Sequence, residues 1–296
     1  MPAPKNPPAE SAPRFSRSFT ALAAIIRDTM RRRSLLIGSL VAAVPVAARA
    51  KGGPAVPLRV GADVALVDSG LAPALQQAFG RDTGIAVQLV RAPVLPLLDA
   101  LAAGELDAAL TNAPEAEARL EQQGLIHDRR SIASGEFVIV GPAPRARDPA
   151  GLAGGRSVAV ALGRWRDTAT AERGASAFVS ANDGSGVHIV EQAAWRRAEL
   201  APQAPWYRFA APGTSLVAQA RARGAYAIVE RGTWVAEGGA PLAILVEGDP
   251  EASESIHAMR SFRSPHPAAK LFIAWIAGAH GRAVVARQRG YRVLAD

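Results

Sequence analysis

The sequence predicts an α/β protein built of two lobes, in which parallel or mixed sheets are covered by helices on both faces. Short apolar runs typical of strands alternate with segments whose apolar residues recur every three or four positions, as in helices. At 296 residues, the chain is long enough for two lobes of roughly 100–150 residues, each with its own core. A Pro/Gly-rich stretch at 142–155 marks the crossing between them. We therefore assign 58–141 with 247–296 to lobe I and 142–246 to lobe II.

Strands and helices alternate regularly before the crossing, and the predicted helices have start or stop signals. The helix that opens at 68–70 is predicted to end at Gly80, and the helix over 94–103 at Gly104, because glycine accepts the left-handed conformation of a C-cap. Pro114 suits the first turn of the next helix. The predicted strands are 58–64, 85–90, 106–110 and 135–140, and residues 51–57 form a linker.

The same alternation continues after the crossing. A helix is predicted around 168–174, and a strand that begins at 178 breaks into a polar, Gly-rich turn before a helical pattern over 187–195. Two further helical segments are predicted, one over 215–223 that ends at Gly224 and one over 267–287 that is a single helix or a pair. The remaining predicted strands are 206–209, 225–229 and 242–246, and turns are predicted at 231–234 and 247–250.

Small polar residues follow four of the predicted strands, two in each lobe. In such sheets the ligand lies outside the carboxyl ends of the strands, and the free N–H groups of a helix start favour an anion. The candidate ligand-binding residues are Ser69, Ser180, Asp183, Ser185 and Thr214. Asp183 is expected to accept N–H bonds and fix its loop, because two negative charges in contact are costly. The alternative is an ordinary N-cap, Asp183 or Ser185, that holds no ligand.

The composition excludes several classes of function. The net charge is +8, but eight of the Lys/Arg and only two of the Asp/Glu lie within residues 1–50, so residues 51–296 carry only +2. A nearly neutral mature part gives no charge argument for nucleic-acid binding. The absence of cysteine removes disulfides, thiolate metal sites and cysteine nucleophiles.

Residues for catalysis are not arranged in any known pattern. The sequence has no Gly-x-Ser-x-Gly elbow, no phosphate-binding loop and no His-Glu-x-x-His, and its five histidines lack metal-ligand spacing. Asp183, Ser185 and His188 are the residue types of a triad, but they lie on one turn, where the geometry is poor. We therefore expect no enzymatic activity, no cofactor and no metal site.

The N-terminal region has the pattern of an export signal. A basic cluster at 31–33 precedes an apolar run at 35–46 and the small-x-small sequence Ala48-Arg49-Ala50. The run is shorter than the ~20 apolar residues of a membrane span. Arg32-Arg33-Ser34-Leu35-Leu36 also resembles the twin-arginine signal. Residues 1–50 are thus expected to be an extension and a signal peptide, with Met30 as the true start and the periplasm as the destination; the alternative is an uncleaved anchor.

The central motif of the sequence is Phe178-Val179-Ser180 followed by Asp183, Ser185-Gly186, His188, Glu191 and Trp195. This motif resembles that of a known family, the periplasmic tungstate-binding proteins of ABC transporters. The family's order also fits Asp68-Ser69-Gly70-Leu71, Thr83-Gly84-Ile85, Ala113-Pro114-Glu115-Ala116-Glu117, Phe137-Val138-Ile139-Val140-Gly141-Pro142, Asp148-Pro149-Ala150-Gly151, Gly224-Ala225-Tyr226, Arg231-Gly232-Thr233 and Leu245-Val246-Glu247-Gly248-Asp249-Pro250.

The resemblance covers roughly 58–250 and implies a type II periplasmic-binding fold, with two α/β lobes that close on a ligand in the cleft between them. It also implies a function. The protein would be a monomeric, extracytoplasmic solute-binding protein that delivers a small oxyanion of the tungstate or molybdate type to an inner-membrane ABC permease.

Several positions depart from the family where its members grip the oxyanion. The family's run of threonines and a serine is Gly61-Ala62-Asp63-Val64 here, and its arginine is Ala181. The glycine-rich third junction is Ala211-Pro212-Gly213-Thr214-Ser215, and the family's Asn-Pro-Tyr pattern after Pro250 is missing. A carboxylate at Asp63 would repel an anion if it faced the cleft. The alternatives are therefore a different small solute, a sensor or scaffold with a degenerate pocket, and, last, an exported enzyme on this fold.

We predict that the exported protein is cleaved after Ala50 and begins at Lys51, because the basic, apolar and small-x-small segments follow one another in the order that signal peptidase requires. Mass spectrometry of the N-terminus of the native protein measures this directly. A protein that retains the segment 30–50 would contradict the prediction.

Overall fold

The computed structural model describes residues 56–143, 148, 150–171 and 177–294. All of these residues belong to one compact unit, Gly52–Asp296. The predicted signal peptide lies outside the described residues. Within the described part, no helix is both long enough and apolar enough to cross a bilayer.

Strands and helices alternate along most of the described chain. Strands β1 to β10 are Leu58–Asp63, Val87–Ala92, Ala108–Thr111, Ile126–Pro142, Phe178–Ser180, Tyr207–Phe209, Ala227–Glu230, Leu242–Val246, Ser253–Ser261 and Tyr291–Arg292. Helices α1 to α10 are Val64–Asp68, Leu71–Thr83, Val94–Ala103, Pro114–Gln122, Val158–Ala171, Gly186–Arg197, Leu216–Arg223, Arg231–Glu237, Ala268–Ala277 and Ala279–Val285.

The main sheet is mixed. Its strands lie in the order β10-β4-β9-β3-β1-β2, with β1 parallel to both β2 and β3, and β9 antiparallel to both β3 and β4. The long strand β4 pairs with β9 and β10 through its first part and with β7 and β8 through its last part, Phe137 to Pro142. Strands β5 and β6 form a separate parallel pair. The predicted fold class, mixed sheets with helices packed against them, is confirmed.

Apolar packing fixes the helices that border the site. Phe79 of α2 meets Phe272 of α9 edge to face, with ring centroids 5.1 Å apart, in a core shared with β1, β3 and β9. In a second core, Phe178 of β5 lies 5.2 Å from Trp195 of α6 and 5.5 Å from Trp165 of α5. All three of these rings are almost fully buried. The second cluster anchors α6 beside β5 and so positions the loop between them.

Local signals predicted some elements at their observed bounds. Helix α3 is Val94–Ala103 and ends at Gly104, whose φ is 81°, and strand β8 is Leu242–Val246. Helix α7 ends at Gly224 with φ 56°, and Pro114 lies in the first turn of α4. Each of these signals has its usual physical cause. Glycine adopts the left-handed conformation of a C-cap without steric strain, and proline fits the first turn of a helix, where no backbone N–H is needed.

The predicted end of α2 at Gly80 is wrong. The helix continues to Thr83, and Gly84, with φ 71°, is its C-cap. A glycine inside a helix costs only ~1 kcal/mol relative to alanine, so the helix can continue through Gly80. The helix ends where the backbone takes a positive φ, which is at Gly84.

Other boundaries also differ from the predictions. Strand β1 ends at Asp63, and the next residues form the short helix α1, which was not predicted. The helix expected around 168–174 begins at Val158, and the turn expected at 231–234 is the start of α8. Strand β9 was not predicted, and 135–140 is only the second part of β4. These elements depend on strand pairing or packing with distant parts of the chain. The local sequence pattern does not reveal such contacts.

Candidate ligand-binding site

A cavity of about 360 Å³ lies where five strands end. Its wall is formed by residues at or just beyond the ends of β1, β2, β5, β6 and β7. This is the position at which open α/β sheets bind ligands. The lining residues are Val64, Ala65, Asp68, Arg91, Pro93, Ala181, Asn182, Asp183, Ser185, Val187, Ala210, Ala211, Pro212, Gly213, Thr214, Ser215, Leu216, Val217, Val229, Glu230 and Thr233.

Three of the five predicted site residues line this cavity: Asp183, Ser185 and Thr214. Ser69 and Ser180 do not belong to the lining. Ser69 is the C-cap of α1, and its hydroxyl donates to the Leu66 carbonyl at 3.2 Å. Ser180 is fully buried, and its hydroxyl has no hydrogen-bond partner within the described structure. Ser69 was expected at a helix start, and the unpredicted α1 is the reason why it lies elsewhere.

The loop from β5 to α6 satisfies its own backbone. Asp183 Oδ1 accepts the Ser185 N–H at 2.9 Å, as expected, and Ser185 Oγ accepts the His188 N–H as the N-cap of α6. The Gly184 N–H donates to His188 Nδ1 at 3.1 Å. Burial lowers the pKa of His188, which favours the neutral imidazole that can accept this bond. Several donors that a ligand could have used are therefore engaged within the loop.

Asp63 connects the end of β1 to the start of α6. Its carboxyl group is fully buried and caps α1 by accepting the Ala65 N–H at 3.1 Å, while its second oxygen accepts the Gly186 N–H at 3.2 Å. Burial raises the pKa of Asp63 to about 7, although these N–H groups oppose the shift. The sequence marked Asp63 as a departure from the family, but it did not reveal the bond to α6.

Gly186 is required at this contact because Asn112 packs directly against it. A Cβ on Gly186 would lie 1.9 Å from Asn112 Oδ1, which is much closer than any real contact. Asn112 is almost fully buried, and neither atom of its amide has a hydrogen-bond partner among the described residues. The start of α6 thus rests on two side chains, Asp63 and Asn112, from the ends of β1 and β3.

The only Lys or Arg that lines the cavity, among the described residues, is already paired. Arg91 forms a two-point contact with Asp68, with Nε 2.7 Å from Oδ1 and the terminal nitrogen 2.5 Å from Oδ2. The bond to Asp68 raises the pKa of Arg91 further, so the guanidinium stays charged. Neither residue was among the ligand-binding residues predicted from the sequence, because an ion pair between β2 and α1 leaves no local sequence pattern.

Glu230 belongs to a buried network beside the cavity. The Tyr291 hydroxyl lies 2.9 Å from Glu230 Oε2 and 2.5 Å from Ser69 Oγ, and its single hydrogen can serve only one of them. A neutral Glu230, with a proton of its own, satisfies both contacts. Burial accordingly raises the pKa of Glu230 to about 8, and the nearby Asp63 charge adds to the shift.

A third buried acid, Glu191, belongs to α6 itself. Glu191 Oε1 accepts the Tyr207 hydroxyl at 2.6 Å and the Trp195 indole N–H at 3.1 Å. Burial raises the pKa of Glu191 to about 7. These contacts tie α6 to β6 and to the aromatic core. No group of three His, Cys, Asp or Glu that could hold a metal ion occurs among the described residues.

Comparison with known proteins places the chain in a family. Residues 60–279 match the PBP superfamily domain, so the chain belongs to this superfamily. It is 28% identical over 226 residues to the tungstate-binding protein TupA of Peptoclostridium acidaminophilum, over 71% of this chain and 73% of that protein. Among solved structures, the tungstate ABC transporter protein from Geobacter sulfurreducens matches with a TM-score of 0.66 and 28% identity, over 78% of this chain and 97% of that one.

A further relative is similar over a shorter part of its length. It is a Haloferax volcanii protein, provisionally described as an ABC transporter anion-binding protein, and it is 33% identical over 183 residues. The match covers 61% of this chain and about half, 51%, of that protein. These relatives confirm the resemblance to tungstate-binding proteins that the sequence motifs indicated. Because the sequence identities are low, the chain is a divergent member of that family.

We predict that the protein is more stable near pH 5 than at pH 8. The pKa values of Asp63, Glu191 and Glu230 are raised by burial to about 7, 7 and 8. The folded state therefore binds protons that the unfolded state releases, and stability is lost as pH rises through these values. The lowered pKa of His188 acts in the opposite sense, but it is one group against three. Below about pH 4.5, acids with lowered pKa values, such as Glu117 and Glu136, become protonated and stability falls again.

Urea unfolding at pH 5 and pH 8 measures the difference, which we expect to exceed about 1 kcal/mol, the value of one pKa unit. Glu230→Gln should reduce it, because the amide cannot titrate. The same substitution at the exposed Glu105 is the control and should leave the difference unchanged. Equal stability of the wild type at both pH values would contradict the prediction.

Proposed function

We propose that the protein is the extracytoplasmic solute-binding component of an ABC transporter, and that its solute occupies the cavity at the strand ends. The observation that carries the proposal is the cavity of about 360 Å³, placed at the carboxyl ends of the strands in a chain of the PBP superfamily. The names of the relatives, which are tungstate- and anion-binding proteins of ABC transporters, support it. The protein would act in the periplasm as a monomer and pass its solute to an inner-membrane permease, without catalysis and without nucleic acid.

We further propose that the cavity lies between two lobes, 58–141 with 247–296 and 142–246, that close on the solute. Hydrogen bonds join these two parts near the cavity, and the contact of the Tyr291 hydroxyl with Glu230 is one of them. The Gly186 N–H donates to Asp63, the Leu95 N–H to the Gly184 carbonyl at 3.3 Å, and the Thr233 hydroxyl to the Ala65 carbonyl at 3.2 Å. Strand β4 continues from one part into the other, so a bend along it would act as a hinge.

Two classes of solute are candidates. A small oxyanion of the tungstate or molybdate type is supported by the names of the relatives. A different small solute is favoured by the state of the donors, because Asp63 occupies the start of α6 and Asp68 holds Arg91. Among the predicted site residues, Asp183, Ser185 and Thr214 are the ones we propose to contact or shape the bound solute, with Ser69 and Ser180 in supporting positions.

We predict that a solute of at least one charge class stabilises the mature protein, and that filling the cavity abolishes the effect. A thermal-shift screen against small oxyanions, neutral solutes and organic cations tests this. Ligand at 100 times its Kd adds about 2.7 kcal/mol, which corresponds to roughly 5–10 °C in Tm for a domain of this size. Ala211→Trp, in the lining, should remove the shift.

Ala201→Trp is the matched control, since Ala201 is also exposed but does not line the cavity. It should keep the full shift. If no solute class stabilises the protein, or if the Ala211→Trp protein responds as strongly as the wild type, solute capture in this cavity is wrong.

A further inference from the structure

Resting on the proposed function, we infer that the solute is an oxyanion and that Arg91 binds it, through the edge of the guanidinium that Asp68 leaves free. Arg91 is then a specificity-determining residue that lies outside the sequence motifs resembling those of tungstate-binding proteins. The inference rests on where Arg91 lies, which of its N–H groups are bound, and which other donors around the cavity are already engaged.

Arg91 lies close to both places where the family's contacts to the oxyanion are lost. Strand β2 runs parallel to β1, and Arg91 is the register partner of Ala62, in the segment that stands where the family has its threonines and serine. Arg91 also lines the same cavity as Ala181, the position of the family's arginine. No other Lys or Arg of the described chain belongs to this lining, so Arg91 is the cation placed to meet a solute there.

The ion pair with Asp68 occupies only one edge of the Arg91 guanidinium. Asp68 accepts from Nε at 2.7 Å and from one terminal nitrogen, Nη2, at 2.5 Å. A guanidinium has five N–H groups, and the other terminal nitrogen, Nη1, has no acceptor among the described residues. The two terminal nitrogens therefore present a second planar fork, whose geometry matches two oxygens of an oxyanion. The side chain is 47% exposed, so a solute can reach it.

Other donors at or beside the cavity already have acceptors within the protein. At the start of α6, the N–H groups of Ser185 and Gly186 donate to carboxyl groups. In the lining, the Ser215 hydroxyl donates to a carboxylate and the Thr233 hydroxyl to a backbone carbonyl. An anion must therefore find its donors elsewhere in the lining, and Arg91 offers free N–H groups together with a positive charge.

Three acids surround Arg91 and could oppose the binding of an anion. The bond to Asp68 raises the pKa of Arg91, and the nearby charges of Asp68, Asp63 and Asp183 add to the shift, so the guanidinium stays charged. Burial raises the pKa of Asp63 to about 7, so this acid is partly neutral near pH 7. Asp183 belongs to the motif that resembles that of tungstate-binding proteins, so its carboxylate does not by itself exclude an oxyanion.

Calorimetric titration with molybdate at neutral pH tests the inference. We expect the wild type to bind molybdate, and Arg91→Gln to bind it at least about tenfold more weakly, because the hydrogen bonds lost are made by a charged group. Arg260→Gln is the matched control. Arg260 is also paired with an aspartate, Asp128, at 2.6 Å, but it lies outside the lining, so this variant should keep the wild-type affinity.

A second pair of variants separates binding by Arg91 from mere neutralisation of Asp68. Arg91→Gln leaves Asp68 unpaired, and the repulsion from that carboxylate could alone weaken the binding of molybdate. The double variant Asp68→Asn/Arg91→Gln removes both charges, and we expect it to bind as weakly as Arg91→Gln. Asp68→Asn alone should bind at least as tightly as the wild type, because Arg91 keeps its charge. Wild-type affinity in the double variant or in Arg91→Gln overturns the inference.

Circular dichroism establishes that each variant is folded. If Arg91→Gln is not, Arg91→Lys takes its place, since it keeps the charge but loses the planar fork and should also bind molybdate more weakly. A wild type that binds no molybdate overturns the inference, but solute capture stands if the thermal-shift screen finds another solute. If no solute of any class stabilises the protein, the proposed function itself is wrong.

Discussion

The carboxyl group of Asp63 joins two consecutive elements, β1 and α1, to the start of α6, which lies 123 residues farther along the chain. It stands at the end of β1, and its two oxygens accept N–H groups at the starts of α1 and α6. Because the group is fully buried, these N–H donors replace the water that would otherwise solvate it. The surrounding packing depends on this link: Gly186 has no side chain, Asn112 lies against it, and the loop that carries Asp183 closes above. The start of α6, which forms part of the cavity wall, is therefore tied to β1 by a buried carboxyl group.

The buried acids near the cavity differ from those farther away. Burial dominates at Asp63 and Glu230, and their pKa values rise, because their few hydrogen bonds do not offset the loss of water. Away from the cavity, Glu117 is just as buried, but it has Arg129, His257 and Thr111 as partners, and its pKa is lowered. Weakly compensated acids reduce stability, and such groups are concentrated at functional sites. Asp63 and Glu230 therefore have the character of functional-site acids, although Glu254, which lies outside the lining, also has a pKa raised by burial.

Much of the fold could be predicted from the sequence because its signals are local. A glycine at the end of α3 or a proline at the start of α4 acts through its own backbone. Helix α8 has no such signal: it begins Arg231-Gly232-Thr233, and it is fixed by the Thr233 bond to Ala65 and by Tyr291 packed on Gly232. In the site, Asp183, Ser185 and Thr214 could be predicted because they follow strand ends. The Arg91–Asp68 and Gly186–Asp63 bonds could not, since their partners are 23 and 123 residues apart.

Family resemblance in this chain has two parts with different physical origins. Phe178 and Trp195 belong to the motif and to the buried core, where packing restricts substitution whatever the solute is. Residues at the cavity are restricted mainly by what they bind, and here the family's pattern is lost. Ala181, in the lining, offers only a methyl group, and Asp63, which precedes the lining residue Val64, brings a carboxyl group to the start of α6. The N–H groups and dipole of α6 are retained with the scaffold. In this chain the N–H groups of Ser185 and Gly186 have side chains of the protein itself, Asp183 and Asp63, as their partners, so the start of α6 is satisfied without a solute.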